Sequence, residues 1–83
     1  MNAFEYTLQM RRFAEALDPI YRFFHAEENA DGDLQYRLMC TAICGRLGEM
    51  EDRLLEVAVR KKFGEAAYQQ ALNDIAKAED SHA

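Results

Sequence analysis

The chain has 83 residues, 49% of them hydrophobic and 30% charged, with a formal net charge of −5. This balance describes one globular domain and excludes a disordered segment, although at this size a second copy or a partner often completes the core. An acidic chain lacks the broad basic face that non-specific DNA binding needs, while a small basic patch stays compatible with it.

No apolar run reaches membrane-spanning length, and Glu5, Arg11 and Arg12 interrupt any leader-like stretch at the N-terminus. Two cysteines without a secretory signal point to a reducing cytoplasm and free thiols.

Helical periodicity runs almost throughout, and strand and hairpin signals are missing. Asn2 is a candidate cap for a first helix ending near Leu17, with Tyr6, Met10, Phe13 and Leu17 as its apolar stripe. In "LDPIYRFF", Asp18 has the chemistry of an N-cap and Pro19 suits a first helical turn. A second, short helix is expected there, presenting Ile20, Phe23 and Phe24. The stretch "EENADGD", residues 27–33, reads as a loop, with Asp33 capping the next helix.

That helix is the long one, over about 33–62. Ile43, Leu47, Met50, Leu54 and Val57 step by four and three, a seam like that of a coiled coil. Lys61 and Lys62 suit its C-terminus and Gly64 the position just beyond. A fourth helix, roughly 65–78, carries Tyr68, Leu72 and Ile75, and the tail "AEDSHA" is expected to fray. The expected fold is thus all-α: one domain over residues 1–83, a small bundle of about four helices with one long central helix.

Three clusters invite a functional reading. Cys40 and Cys44 share a helix face, and two thiolates there supply half of a zinc site. His25 and the tail residue His82 are the only histidines to complete it, and the redox spacing Cys-x-x-Cys is absent. Small residues at a close helix contact are the better reading. Cys40, Cys44, Gly45 and Gly48 would form that ridge, within the chain or across a dimer, because interior helical glycines cost about 1 kcal/mol each without some compensation.

The second cluster imitates a calcium loop. With Gly32 in the sixth place, Glu27, Asn29, Asp31, Asp33 and Gln35 fall on ligand positions and Leu34 on the apolar one. The twelfth position, where a bidentate glutamate must stand, is Leu38, so an acidic turn and a helix cap are favoured and no metal is expected.

The third is basic: Arg11 and Arg12 in the first helix, and Arg60, Lys61 and Lys62 at the end of the long one. A small phosphate- or acid-binding patch and a solvated helix face explain these equally well. No catalytic constellation is visible. The one serine, Ser81, stands in the tail, His25 has no assured partner, and no Gly-rich phosphate loop occurs. A non-enzymatic protein without cofactor is expected.

The segments "YTLQMRRF", "LDPIYRFF" and "AICGRLGEM" together resemble the Hha/YmoA family of small bacterial gene-expression modulators. Tyr6, Met10, Arg11 and Arg12 match its first helix, and Asp18 and Arg22 its second. Asp33, Ala42, Arg46, Leu47 and Glu49 also agree, with one residue inserted between Arg12 and Leu17. The resemblance covers about residues 6–56. It implies an all-helical protein that docks on a histone-like nucleoid-structuring protein through acidic side chains and meets DNA only indirectly. Asp18 stands at a matching acidic position; Tyr21 and Cys44 stand where the family has two further acidic contacts. The chain past Ala66 departs from the family's C-terminal end.

The partner-binding set expected from this reading is Glu15, Asp18, Tyr21, Phe23 and Phe24, with a homodimer compatible with it and no membrane involved. An acidic inhibitor or adaptor from a phage or plasmid, blocking a basic site on a host protein, is the alternative.

Overall fold

Asn2 opens the first helix as the sequence predicts: its backbone is extended (φ −81°, ψ 174°), and its side-chain oxygen accepts from the Glu5 N–H at 2.8 Å. The computed structural model describes residues 1–80. Helix α1 then runs unbroken over Ala3–Asn29, so the expected boundary at Asp18 is absent. Pro19 lies inside it and has no N–H for the Glu15 carbonyl, a defect that costs about 3 kcal/mol in a helix interior. Both residues face water, which can hydrate the freed oxygen.

What carries the helix past Pro19 is its seam. Thr7, Met10, Ala14, Leu17, Tyr21, Phe24 and Glu28 alternate by three and four, all buried or half-buried, and pack on the second rod on both sides of the proline. Asp18 is no cap: its carboxylate accepts from Arg22 Nε, 2.8 Å away and one turn on. Phe13, expected in the stripe, is 47% exposed. Thr7, the one buried polar residue among those described, donates its hydroxyl to the Ala3 carbonyl at 2.7 Å.

Residues 30–33 link α1 to the second rod, whose first free N–H groups are served by Asp33, accepting from Tyr36 N–H at 3.2 Å. This rod, α2, has three parts in one line: α-helix over Leu34–Asp52, a π turn over Arg53–Val57, and α-helix over Ala58–Phe63. The long helix expected from the sequence is therefore present. Its seam keeps Leu47 and Leu54 of the expected one, with Ile43 half-buried beside it, and departs from it elsewhere. Arg37, Cys40, Cys44, Leu47, Glu51 and Leu54 alternate by three and four and face α1, whereas Met50 and Val57 are 49% and 39% exposed.

The π turn explains the rest of the discrepancy. It adds one residue to a helical turn and rotates everything after it by about 100°. A seam continuing in α register would next bury Ala58; after the added residue it is Val59 that has no exposed surface.

Gly64 ends the rod with φ +93°, a conformation open to glycine, and its N–H bonds the Arg60 carbonyl at 2.8 Å. Helix α3, Glu65–Asp80, starts at once. Ala78, Glu79 and Asp80, expected to fray, continue it; Ser81 and His82 lie outside the described residues. Tyr68, Ala71 and Ile75 bury themselves against the first half of α1, and Met10, Val59 and Tyr68 form the core with Tyr6, Leu54, Phe63 and Leu72 around them. The expected four helices are thus three rods, because the first two are one; no strand occurs among the described residues.

Helix α3 packs on α1 and on the end of the second rod, so all three rods share the Met10–Val59–Tyr68 core, while the Leu34–Asp52 part of α2 packs on α1 alone among the rods. The molecule measures 47 × 31 × 16 Å. Its radius of gyration is 16.3 Å; a compact chain of this length has about 12 Å.

Candidate protein-binding surfaces

Small residues in the two seams bring α1 and α2 together. Cys40 is fully buried and Cys44 nearly so in the seam with α1; both are free thiols. The Cys44 thiol donates weakly to the Tyr21 carbonyl at 3.9 Å. Burial pushes its pKa up, with Glu28 and Cys40 adding to the rise. A hydrogen bond with Cys40, ahead of burial, raises the Tyr36 phenol in the same way. The cysteine half of the expected ridge is therefore a contact within the chain. The glycine half is not: a Cβ built at Gly45 or Gly48 meets nothing within 4 Å. The glycines look away from α1, so the ridge is split between two sides of the helix.

The calcium-like spacing is used for helix ends. Glu27 and Asn29 are inside α1, where the Asn29 amide donates to the His25 carbonyl at 2.8 Å, and Gln35 is inside α2. Arg37 Nε donates to the Glu28 carbonyl at 3.1 Å, supplying a cation to the end of α1, which has no basic residue in its last turn. Glu28 itself accepts from His25 Nδ1 at 2.8 Å. The Thr41 hydroxyl, then His25, hold its carboxyl below the usual glutamate range. Among the described residues no three His, Cys, Asp or Glu side chains gather as a metal site.

The basic residues are mostly taken by the fold. Arg11 pairs with Glu79 at 3.1 Å. Arg60 pairs with Glu65 at 2.7 Å and lies 4.5 Å over the Tyr68 ring. Lys62 lies 4.8 Å over the Tyr6 ring. Arg12 and Lys61 are exposed and without an ion pair among the described residues. No free patch of all five forms.

Two surfaces remain, on opposite sides of the α1–α2 seam. On one side is an open groove lined by Arg11, Ala14, Glu15, Asp18, Glu51 and Leu55. With Arg11 held by Glu79 and Asp18 by Arg22, Glu15 and Glu51 are its unpaired charges among the described residues, so the groove is acidic. At 100° per residue, Phe13, Ile20 and Phe23 of α1 and Tyr36, Met39 and Met50 of α2 fall on the other side of the seam. All six are exposed by 40–57%.

The expected partner-binding set is thus not one surface. Glu15 and Asp18 line the groove. Tyr21 and Phe24 are half-buried in the seam, Tyr21 stacked on His25 with ring centroids 5.7 Å apart. Phe23 stands on the apolar side, edge-on to Phe24 at 5.2 Å.

Sequence reasoning missed the apolar face by placing Phe13 and Met50 in seams. The available signal was the three-four alternation that runs unbroken from Thr7 through Met10, Ala14, Leu17, Tyr21 and Phe24, which leaves Phe13, Ile20 and Phe23 off the seam. No protein-family model, curated protein or solved structure matches the chain.

Proposed function

We propose that this chain is a non-enzymatic protein-binding module whose acidic groove docks on a basic surface of a partner protein. The observation that carries this is the groove itself: Glu15 and Glu51 unpaired, Arg11 neutralised, on a chain of net charge −5. The partner suggested by the Hha/YmoA resemblance is a histone-like nucleoid-structuring protein, and the consequence is modulation of bacterial gene expression with DNA met only through that partner. Asp18, the acidic position the resemblance carries over, lies in the same groove.

A second reading has its own support. Arg11 and Arg60 each pair with a glutamate, which leaves the net charge at −5 and the surplus of carboxylates on the surface. Such a surface suits an inhibitor that occupies a basic, nucleic-acid-binding site on a host protein.

Both readings are tested by titrating the chain into a nucleoid-structuring protein, with and without DNA, at two salt concentrations. Asp18→Asn leaves stability within about 0.5 kcal/mol, because the Asp18–Arg22 pair is exposed. Glu15→Gln with Glu51→Gln removes charge-assisted contacts worth about 1.5–3 kcal/mol each, so affinity falls tenfold or more. A ternary complex with DNA favours the modulator, and competition with DNA the inhibitor. Affinity indifferent both to these substitutions and to salt removes the groove from consideration.

A further inference from the structure

We infer that a second copy of this chain covers the apolar face of α1 and α2, making a two-fold dimer in which two helical layers enclose a four-helix core. The inference does not rest on the acidic groove, which lies on the other side of the seam.

Domains are built from two packed layers around one core, because a helix layer buries only one of its sides against its own neighbours. In this chain the Leu34–Asp52 part of α2 packs on α1 alone, since α3 reaches only α1 and the end of the second rod, and the radius of gyration is 16.3 Å. Its seams hold Met10, Leu17, Tyr21, Phe24, Leu47 and Leu54 with the smaller Thr7, Ala14, Cys40 and Cys44, while Phe13, Ile20, Phe23, Tyr36, Met39 and Met50 stand outside. The side chains of a second core are therefore already present, and they lack a layer to enclose them.

The area approaches what a second copy needs. Aromatic side chains bury about 150–250 Å² each, so with about half exposed Phe13, Phe23 and Tyr36 alone offer roughly 225–375 Å² per copy, to which Ile20, Met39, Met50 and the rim add. Stable interfaces need about 800 Å² per partner, and monomers rarely show a patch above about 300–600 Å².

The composition is self-complementary. The α1 half carries Phe13, Ile20 and Phe23, the α2 half Met39 and Met50, and none of the six is charged. A two-fold axis at the middle of the face sets the aromatic stripe of one copy on the methionine stripe of the other, a favourable sulfur–aromatic pairing. The two acidic grooves then lie on the outer sides of the dimer, available together.

Sedimentation equilibrium of the full chain decides this. The expected mass is twice 9.6 kDa, with a melting temperature that rises with chain concentration. Ile20→Glu with Met50→Glu should halve the mass or abolish the fold. Unfolding also supports the dimer, since in a monomer both positions already face water. Glu15→Arg, in the groove, should leave the mass unchanged. A wild-type mass of 9.6 kDa with a concentration-independent melt overturns the inference. So does a dimer that persists in the double glutamate variant, or an assembly of three or more copies.

Discussion

Truncating two valines, Val59 and Val57, tests the rotation that the π turn imposes on α2. Val59 has no exposed surface and touches the core with Met10 and Tyr68; Val57, which the seam expected from the sequence would bury, is 39% exposed. Val59→Ala removes two methyl groups, worth about 0.8 kcal/mol each in transfer. The cavity they leave adds about 1 kcal/mol if the neighbours do not collapse. Alanine returns about 0.5 kcal/mol of helix propensity. The net loss is about 2 kcal/mol, or roughly 8–16 °C in melting temperature for a chain of this size. Val57→Ala leaves no enclosed cavity and gains the same propensity, so its effect stays within about 0.5 kcal/mol. Urea and thermal unfolding followed by helical circular dichroism, at one chain concentration, give both numbers. If Val59→Ala costs as little as Val57→Ala, Val59 is not turned into the core and the rotation is wrong.

Gly45→Ala should stabilise the chain by about 0.5–1 kcal/mol, since its new Cβ meets nothing and helix propensity improves; a loss in the same unfolding assay would place a second copy on the glycine side instead. Pro19→Ala should raise stability by about 2 kcal/mol by restoring a hydrogen bond to Glu15 on an exposed face, less the greater freedom of the unfolded chain; a lower urea midpoint would show that the proline shapes the α1–α2 contact. The native thiols should react with an aromatic disulfide only as fast as the chain opens, because Cys40 and Cys44 are buried and burial raises the Cys44 thiol; labelling within seconds of mixing would contradict that burial. Glu28 carries a folded-state pKa below its unfolded value, so its contribution is complete above about pH 4.3 and is lost as pH falls through the lower folded value. Stability measured from pH 5 to pH 3 should therefore fall more steeply for the wild type than for Glu28→Gln, and parallel curves would remove Glu28 as the acid-sensitive group.

Much of the local structure is written in short-range chemistry. Asn2 and Asp33 accept from N–H groups three residues on, and Gly64 takes the left-handed conformation that ends a helix, each where residue type alone predicts it. Asp18-Pro19 misleads because the same dipeptide serves a helix start or sits inside a helix that tertiary packing holds straight on. The outcome is decided by Leu17, Tyr21 and Phe24 against α2, which no local rule contains. The α2 seam escapes a sequence reading for a related reason: hydrophobicity ranks Met50 and Val57 above Cys40 and Cys44, but close approach of two helices selects small side chains. The π turn leaves no compositional mark in "RLLEV". Of the candidate site, the acidity of Glu15 and Asp18 is readable. The contribution of Glu51, and the loss of Arg11 and Lys62 to internal partners, depend on contacts far apart in sequence.

The link of residues 30–33 also sets the order in which the molecule assembles in time. A loop this short closes at small entropic cost and faster than the 10–100 ns typical of about ten residues. The bonds from Asp33 to Tyr36 and from Arg37 to the Glu28 carbonyl join residues at most nine apart, so they can form as soon as the loop closes. The two rods can then zip outward from that end, and the contact of Met10 with Val59 and Tyr68, which lie far along the chain, should close last. In the dimer inferred above, encounter of two folded chains is a bimolecular event with its own clock. Refolding should therefore show a rapid gain of helix independent of protein concentration, followed by a slower phase whose rate grows with it.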